Sequence, residues 1–143
     1  EPAAAASGRW VKDEAGWRYC YAGGNCETGQ TLADSQGNAI EYISWKQIDG
    51  VWWAFGANGY LKEGWVIDNA SGCWYYIDVN SGMKTGWHKD LKDGFWYYLD
   101  PQSGVMRTGS QFIDGAWYNF NSVPQPVGSD ASQSGHLPLG ALC

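Results

Sequence analysis

Trp residues recur along this chain at an almost constant interval, and their side chains are the ones best suited to chemistry. Each lies in the same phrase: Trp, several polar residues, Gly, one residue, then Trp followed by a second aromatic residue. The later Trp of the phrase is Trp52, Trp74, Trp96 and Trp117, at intervals of 22, 22 and 21 residues. Tyr and Trp combine an apolar body with a polar tip and suit half-open pockets. Any ligand site in this chain is therefore expected to be aromatic and repeated.

The elements that must position these rings are short strands joined by tight turns. A period between about 20 and 50 residues indicates stacked supersecondary units rather than one globular core. The aromatic and β-branched flanks favour strands, and Asp-Gly pairs favour two-residue hairpin turns. A single hairpin is barely stable in water, so neighbouring hairpins must supply the core. The sequence predicts an all-β solenoid of stacked β-hairpins, with turns at Asp49-Gly50, Asp93-Gly94 and Asp114-Gly115.

The repeats occupy the middle of the chain. Residues 1–8 are small and linker-like, and about five repeats fill residues 9–120. An insertion at about residues 20–43 separates the first repeat from the second, and it is expected to form one extra hairpin around a turn at 34–38. Residues 121–143 are rich in Pro, Gly and Ser and predict an irregular tail.

Composition limits the classes of partner. The 143 residues carry a net charge of −6, which argues against nucleic acid, because phosphate binding needs clusters of Lys and Arg. An acidic surface attracts cationic ligands instead. No apolar run is long enough to span a membrane. Ten Trp and nine Tyr supply more aromatic surface than a core of this size needs.

Four cysteines allow three disulfide pairings. Cys20 and Cys26 would close a small loop in the first repeat, and Cys73 with Cys143 would then tie the tail to the array. Free thiols remain an open alternative for the second pair. No Cys-x-x-Cys spacing occurs and neither His lies near a Cys, so no metal site is expected.

The sequence offers no arrangement suited to catalysis. His88 and His136 lie far apart, and the Asp residues fall in turns, where short polar side chains cap the backbone. A glycosidase would need two carboxylates facing each other across a cleft. No phosphate-binding loop or nucleophile elbow is present. We therefore expect a non-enzymatic protein with no catalytic residues and no cofactor.

The third and fourth repeats carry a family resemblance. The segment Gly64-Trp65 … Gly72-Cys73-Trp74-Tyr75-Tyr76-Ile77-Asp78 … Gly82-Met83-Lys84-Thr85-Gly86-Trp87 resembles the cell-wall-binding repeat, also known as the choline-binding repeat, of Gram-positive surface proteins. The resemblance is looser in the first and fifth repeats. It implies a left-handed superhelix of hairpins, secretion, and non-covalent attachment to choline-bearing teichoic acids at the cell surface.

The resemblance also implies a set of binding residues. In that family a pocket between consecutive hairpins uses the opening and later Trp of one repeat and the second Tyr of the next, closed by Met or a similar residue. Carried over to this chain, two choline pockets are complete. They are Trp45, Trp52 and Tyr76 with Leu61, and Trp65, Trp74 and Tyr98 with Met83.

Two further pockets are predicted to be weak. Trp10 and Trp17 would need an aromatic residue where Ala54 stands, and the insertion would also displace their partner. Trp87 and Trp96, with Met106, would need one where Asn119 stands. The aromatic residues that directly follow the later Trp point to the opposite strand face. They are predicted to be structural, and they are Trp53, Tyr75 and Tyr97.

Quaternary ammonium suits such a pocket because it is positive, weakly hydrated and unable to donate a conventional hydrogen bond. Two alternatives use the same residues. A carbohydrate-binding repeat would stack glucan or glycan rings on the Trp faces, and a stalk or adhesin would bury the rings as core only. The expected partner is thus choline of teichoic acid or another wall polysaccharide, with weak dimerisation through the last repeat also open.

Overall fold

The computed structural model describes residues 8–120, which form antiparallel β-hairpins. Their core is built from aromatic and aliphatic side chains. The strands are β1 (Gly8–Asp13), β2 (Gly16–Tyr21), β3 (Gln30–Ala33), β4 (Ala39–Tyr42), β5 (Ser44–Ile48), β6 (Val51–Phe55), β7 (Gly64–Asp68), β8 (Cys73–Asp78), β9 (Gly82–Met83), β10 (Gly86–Lys89), β11 (Trp96–Leu99), β12 (Gly109–Ile113) and β13 (Ala116–Phe120).

Each strand pairs with its neighbour in sequence. Five hairpins carry the repeated phrase, and we number them unit 1 (β1–β2), unit 2 (β5–β6), unit 3 (β7–β8 with the short β9), unit 4 (β10–β11) and unit 5 (β12–β13). The inserted hairpin β3–β4 lies between units 1 and 2 in sequence. The prediction of an all-β hairpin solenoid with an inserted hairpin after the first repeat is confirmed.

The units do not all have the same turn between their two strands. In units 2 and 5 the two-residue turn places Asp and Gly at positive φ, with Asp49 at 52° and Asp114 at 49°. The prediction for Asp93-Gly94 was wrong, because four residues separate the paired ends Asp90 and Phe95. The Asp90 carboxylate accepts the Lys92 N–H at 2.8 Å, which stabilises the longer loop. Unit 3 has the same four-residue loop, at residues 69–72.

The alternation of side chains gives each hairpin two different faces. In unit 3, Trp65 lies opposite Tyr76 in the ladder, and both pack against the buried core of unit 4. Val66 and Ile77 instead pack against Ala54 of unit 2. We call the surface toward the following unit the forward face and the surface toward the preceding unit the backward face.

One set of fully buried residues follows the same period as the Trp residues. One such residue lies at or next to the end of the second strand in each of units 2 to 5, on the backward face, where the preceding hairpin covers it. Burying one such side chain contributes about 1.5–3 kcal/mol. These residues are Phe55, Ile77, Leu99 and Phe120, each no more than 1% exposed.

The insertion is tied to the array by covalent and polar links. Cys20 and Cys26 form a disulfide. The Glu27 carboxylate accepts hydrogen bonds from the hydroxyls of Tyr21 and Ser44. The predicted pairing of Cys73 with Cys143 involves a residue outside the described range, as do the predicted tail and most of the linker-like start. No helix in residues 8–120 is long and apolar enough to cross a membrane.

Candidate functional site

One aromatic contact is repeated at every junction between consecutive units. The opening Trp of one unit meets the ring that follows the later Trp of the next unit, with interplanar angles of 61° to 72°. Such edge-to-face geometry is the favoured arrangement of aromatic pairs. The pairs are Trp10–Trp53 at 5.1 Å, Trp45–Tyr75 at 4.8 Å, Trp65–Tyr97 at 4.7 Å and Trp87–Tyr118 at 4.9 Å between ring centroids.

The junction of units 2 and 3 forms a half-open cavity of about 320 Å³, which we call the Trp45 pocket. Its aromatic walls are Trp45 and Trp52 from unit 2 and Tyr75 from unit 3. Met83 and Asp68, also from unit 3, complete the wall. Gln102 and Ser103 reach its rim from the loop of unit 4. Three successive units therefore build one pocket.

The junction of units 1 and 2 has the same design. This cavity of about 260 Å³, the Trp10 pocket, is bounded by Trp10 and Trp17 of unit 1. Trp53 and Leu61 of unit 2 stand where Tyr75 and Met83 stand in the Trp45 pocket. Its rim again comes from the unit after next, through Val79 and Asn80. No charged residue lines it.

The last two junctions repeat the aromatic contacts. In the Trp65 site, Trp65 and Trp74 pack against buried Tyr97 and Met106, and the Met106 N–H donates to the Trp74 carbonyl at 2.9 Å. In the Trp87 site, Trp87 lies 6.2 Å from Trp96 and 4.9 Å from Tyr118 between ring centroids. Every junction in residues 8–120 thus brings together two Trp residues of one unit and one ring of the next.

The structure groups the predicted residues differently from the sequence-based sets. Tyr76, assigned to the pocket of Trp45 and Trp52, instead lies opposite Trp65 in its own hairpin, with ring centroids 5.2 Å apart. Tyr98 likewise lies opposite Trp87, at 5.1 Å.

The closing residues are shifted by one junction as well. Leu61 lines the Trp10 pocket instead of the Trp45 pocket, which is closed by Met83. Met106 packs with Trp65 and Trp74.

The alternation of the strands explains this correction. The third ring of a pocket must come from the backward face of the next unit, and the later Trp lies on the forward face. The residue directly after that Trp therefore faces the preceding unit, so Trp53 and Tyr75, predicted to be purely structural, line the two cavities, while Tyr97 is buried in the core at the equivalent position. At the outer junctions, Trp53 and Tyr118 are the residues whose rings meet the opening Trp of the preceding unit.

Two of the four opening Trp residues donate their indole N–H to a carboxylate of the next unit. Trp45 Nε1 lies 3.1 Å from Asp68 Oδ2, and Trp65 Nε1 lies 2.6 Å from Asp90 Oδ2. Sequence reasoning assigned Asp68 only to turn capping and did not single out Asp90. Each of these Asp residues lies four residues before the Gly that ends its loop. This spacing is a sequence signal that distinguishes units 3 and 4 from the other units.

The tyrosines at these junctions are held neutral. Burial, followed by the negative charge of Asp68, raises the pKa of Tyr75. Burial, followed by the hydrogen bond to Asp93, raises the pKa of Tyr97. Both phenols therefore present uncharged rings at physiological pH. Within residues 8–120 no cluster of His, Cys, Asp or Glu is arranged to hold a metal ion.

Comparison with known proteins identifies the class of this fold. Residues 63–80 and 85–106 match the model of the cell wall binding repeat. The pneumococcal cell wall endolysin from phage Cp-1, solved in complex with choline, is 33% identical, with a TM-score of 0.52 over 78% of this chain and 28% of that chain. The same endolysin in complex with a tetrasaccharide-pentapeptide peptidoglycan analogue gives 33% identity, a TM-score of 0.53 and the same coverages. No curated protein matches the chain by sequence.

The chain belongs to the family of cell-wall-binding, or choline-binding, repeat proteins. A structure of choline binding protein F from Streptococcus pneumoniae is also similar, at 30% identity and a TM-score of 0.49, over 81% of this chain and 40% of that chain. The chain spans 28% of the length of the endolysin chains that it matches.

Proposed function

We propose that residues 9–120 form a non-catalytic binding module that recognises choline or phosphocholine groups of teichoic acids on a Gram-positive cell surface. The observation that carries the proposal is the grouping of two Trp rings with one ring of the next unit at all four junctions of the described units, which lines a cavity at the Trp10 and Trp45 junctions. The endolysin solved with choline has the same fold. The residues 1–8 and 121–143 would then connect or finish the array.

The chemistry of the pocket suits a trimethylammonium group. Each ring that faces a cation contributes about 0.5–2 kcal/mol, depending on how completely water is excluded. Three rings, less the cost of ordering the ligand, give a dissociation constant near the millimolar range, which corresponds to about −4 kcal/mol. Attachment to a wall then depends on several pockets binding one polymer together.

Any catalytic activity of a longer parent protein would reside in a separate domain. The repeat modules of this family are binding domains, and the matched endolysin chains extend well beyond the aligned repeats. The module would act outside the cell, where it would hold its parent protein on the wall. No covalent anchor is required, because multivalent binding lasts much longer than any single contact.

A second candidate is recognition of wall or host glycans by the exposed end of the array. Trp117, 71% exposed, and Phe112, 60% exposed, meet at 5.3 Å on the forward face of unit 5. They form an exposed aromatic surface instead of a concave pocket. An open ring face suits a sugar ring better than a compact cation.

The proposal is tested by titrating the full chain with choline while following Trp fluorescence and the melting temperature. Saturable quenching and a rise in melting temperature at millimolar choline are expected, both reduced in Trp52→Ala. Trp117→Ala is the matched control, because it removes the same side chain from a surface outside the pockets. If choline has no effect and soluble glucans or wall glycans quench Trp117 instead, the glycan alternative replaces the proposal.

A further inference from the structure

The four junctions differ in one feature, the partner of the opening indole. In the Trp45 pocket and the Trp65 site this partner is a carboxylate, Asp68 or Asp90, each accepting from an indole N–H. Asp90 is only 6% exposed. Asp68 lies in the cavity wall itself, beside the rings of the Trp45 pocket.

The equivalent positions facing the other two pockets are apolar. Ile48 ends the first strand of unit 2 and packs with Trp10, while Ile113 is the equivalent residue at the end of the first strand of unit 5. Both isoleucines precede a two-residue Asp-Gly turn, whereas Asp68 and Asp90 open the four-residue loops. The four-residue loop and the carboxylate that accepts from the indole therefore occur in the same units.

We propose that Asp68 is a specificity-determining residue that makes the Trp45 pocket selective for cations over neutral ligands of the same shape, whereas the Trp10 pocket, which lacks a carboxylate, discriminates mainly by shape. The inference rests on the proposed function and deepens it. It divides the array into two charge-assisted sites, at Trp45 and Trp65, and two neutral sites, at Trp10 and Trp87.

Two physical effects act in the same direction. The formal negative charge of Asp68 lies in the wall of a partly desolvated cavity, where Coulomb attraction to an ammonium group is stronger than in water. The hydrogen bond from Trp45 to the carboxylate also increases the electron density of the indole, which strengthens cation binding to its face. Neither effect is available to the Trp10 pocket, whose walls are uncharged and whose Trp17 ring has the Lys12 ammonium 6.0 Å from its centroid.

Asp68 has a structural role too, and the test must separate the two. Its Oδ1 accepts the Ala70 N–H at 3.0 Å, which closes the loop of unit 3. Replacing Asp68 with Asn removes the charge while keeping one acceptor oxygen. The loss of charge weakens the binding of cations alone, whereas a displaced Trp45 ring would weaken the binding of every ligand in the pocket.

The experiment compares choline with dimethylbutanol, its neutral isostere, in which a carbon atom replaces the ammonium nitrogen. NMR titration of the ¹⁵N-labelled full chain follows the indole N–H signals of Trp45 and Trp10, so each pocket reports its own dissociation constant. In Asp68→Asn, choline binding at Trp45 is expected to weaken about five- to tenfold, with isostere binding unchanged. Asp114→Asn is the control, since it removes one charge at a distant turn that Asn tolerates.

The outcomes are distinguishable. If the ratio of isostere to choline dissociation constants at Trp45 is the same in Asp68→Asn and in the wild type, the inference is overturned, although choline binding itself stands. If choline shifts neither indole signal, the proposed function fails as well.

If Asp68→Asn does not fold, the wild-type chain still decides the matter. Added salt must then weaken choline binding at Trp45 more than at Trp10. Screening reduces the attraction of Asp68 for the cation, whereas the charge beside the Trp10 pocket is the Lys12 ammonium, 6.0 Å from the Trp17 ring centroid, whose repulsion salt reduces. An equal salt effect at both pockets overturns the inference.

Discussion

Trp45 and Tyr75 meet edge to face with ring centroids 4.8 Å apart, although they belong to different hairpins. The contact joins the forward face of unit 2 to the backward face of unit 3. Because the same contact recurs at the other junctions, the rings that hold the stack together also wall its pockets. Stability and ligand recognition therefore depend on the same side chains.

The first prediction concerns the third wall of the Trp45 pocket. Tyr75→Leu is expected to weaken choline binding there by about tenfold, since one ring–cation contact is lost. Tyr76→Leu should leave this pocket unchanged, because Tyr76 contacts Trp65 and His88 instead. The indole signal of Trp45 in a choline titration measures both effects, and a larger loss in Tyr76→Leu would restore the sequence-based grouping.

A second prediction concerns the fit between Met83 and the loop of unit 4. A methyl group at Gly104 would lie 2.6 Å from Met83 Sδ, so Gly104→Ala must displace this pocket residue. Gly109→Ala is a matched control, because its φ of +73° resembles the +77° of Gly104 but open space surrounds it. Both variants should lose about 1 kcal/mol or more of stability through backbone strain. Only Gly104→Ala should alter choline affinity at Trp45.

The third prediction concerns stability as the pH falls. Burial, followed by the charge of Lys84, lowers the pKa of His88, although Asp90, Asp93 and Asp78 oppose this. Protonation is thus harder in the folded chain, so stability present above the ordinary His value near 6.5 should decline as the pH falls below it.

Melting temperatures between pH 7.5 and pH 5 measure this decline. In His88→Val, which installs the residue type that Val66 supplies in unit 3, the fall should be smaller than in the wild type. An identical fall in both proteins would show that other groups control the acid response.

The fourth prediction compares one substitution at two Leu residues of unit 4. Leu99 is completely buried and Leu91 is 89% exposed. Leu99→Ala should cost about 2–5 kcal/mol through lost contacts and the cavity left behind, whereas Leu91→Ala should change stability by no more than about 0.5 kcal/mol. Urea unfolding measures both values, and a small cost at Leu99 would argue against a core shared between units.

Much of the architecture could be predicted from the sequence, because each period of the Trp and Gly pattern corresponds to one hairpin of the stack. The hairpins, the inserted hairpin and the turns at Asp49 and Asp114 follow from local patterns. The loop at Asp93-Gly94 did not, because the Asp90 carboxylate favours a longer loop over the two-residue turn.

The pocket walls were harder to assign than the strands. The alternation of Trp74 and Tyr75 was recognised, but it does not say which face meets which neighbour. The neighbour that each face meets depends on how one hairpin stacks on the next. In the structure this stacking places Tyr75, and not Tyr76, beside Trp45. The carboxylates on Trp45 and Trp65 also come from the neighbouring hairpin, so no single repeat contains both partners of the hydrogen bond.

The most direct test of the account is a crystal structure of the chain with choline well above the millimolar range. Electron density for a trimethylammonium group between Trp45, Trp52 and Tyr75, with Asp68 beside it, is the predicted result. A Trp45 pocket that stays empty at saturating choline, or choline bound against Tyr76, would contradict the account.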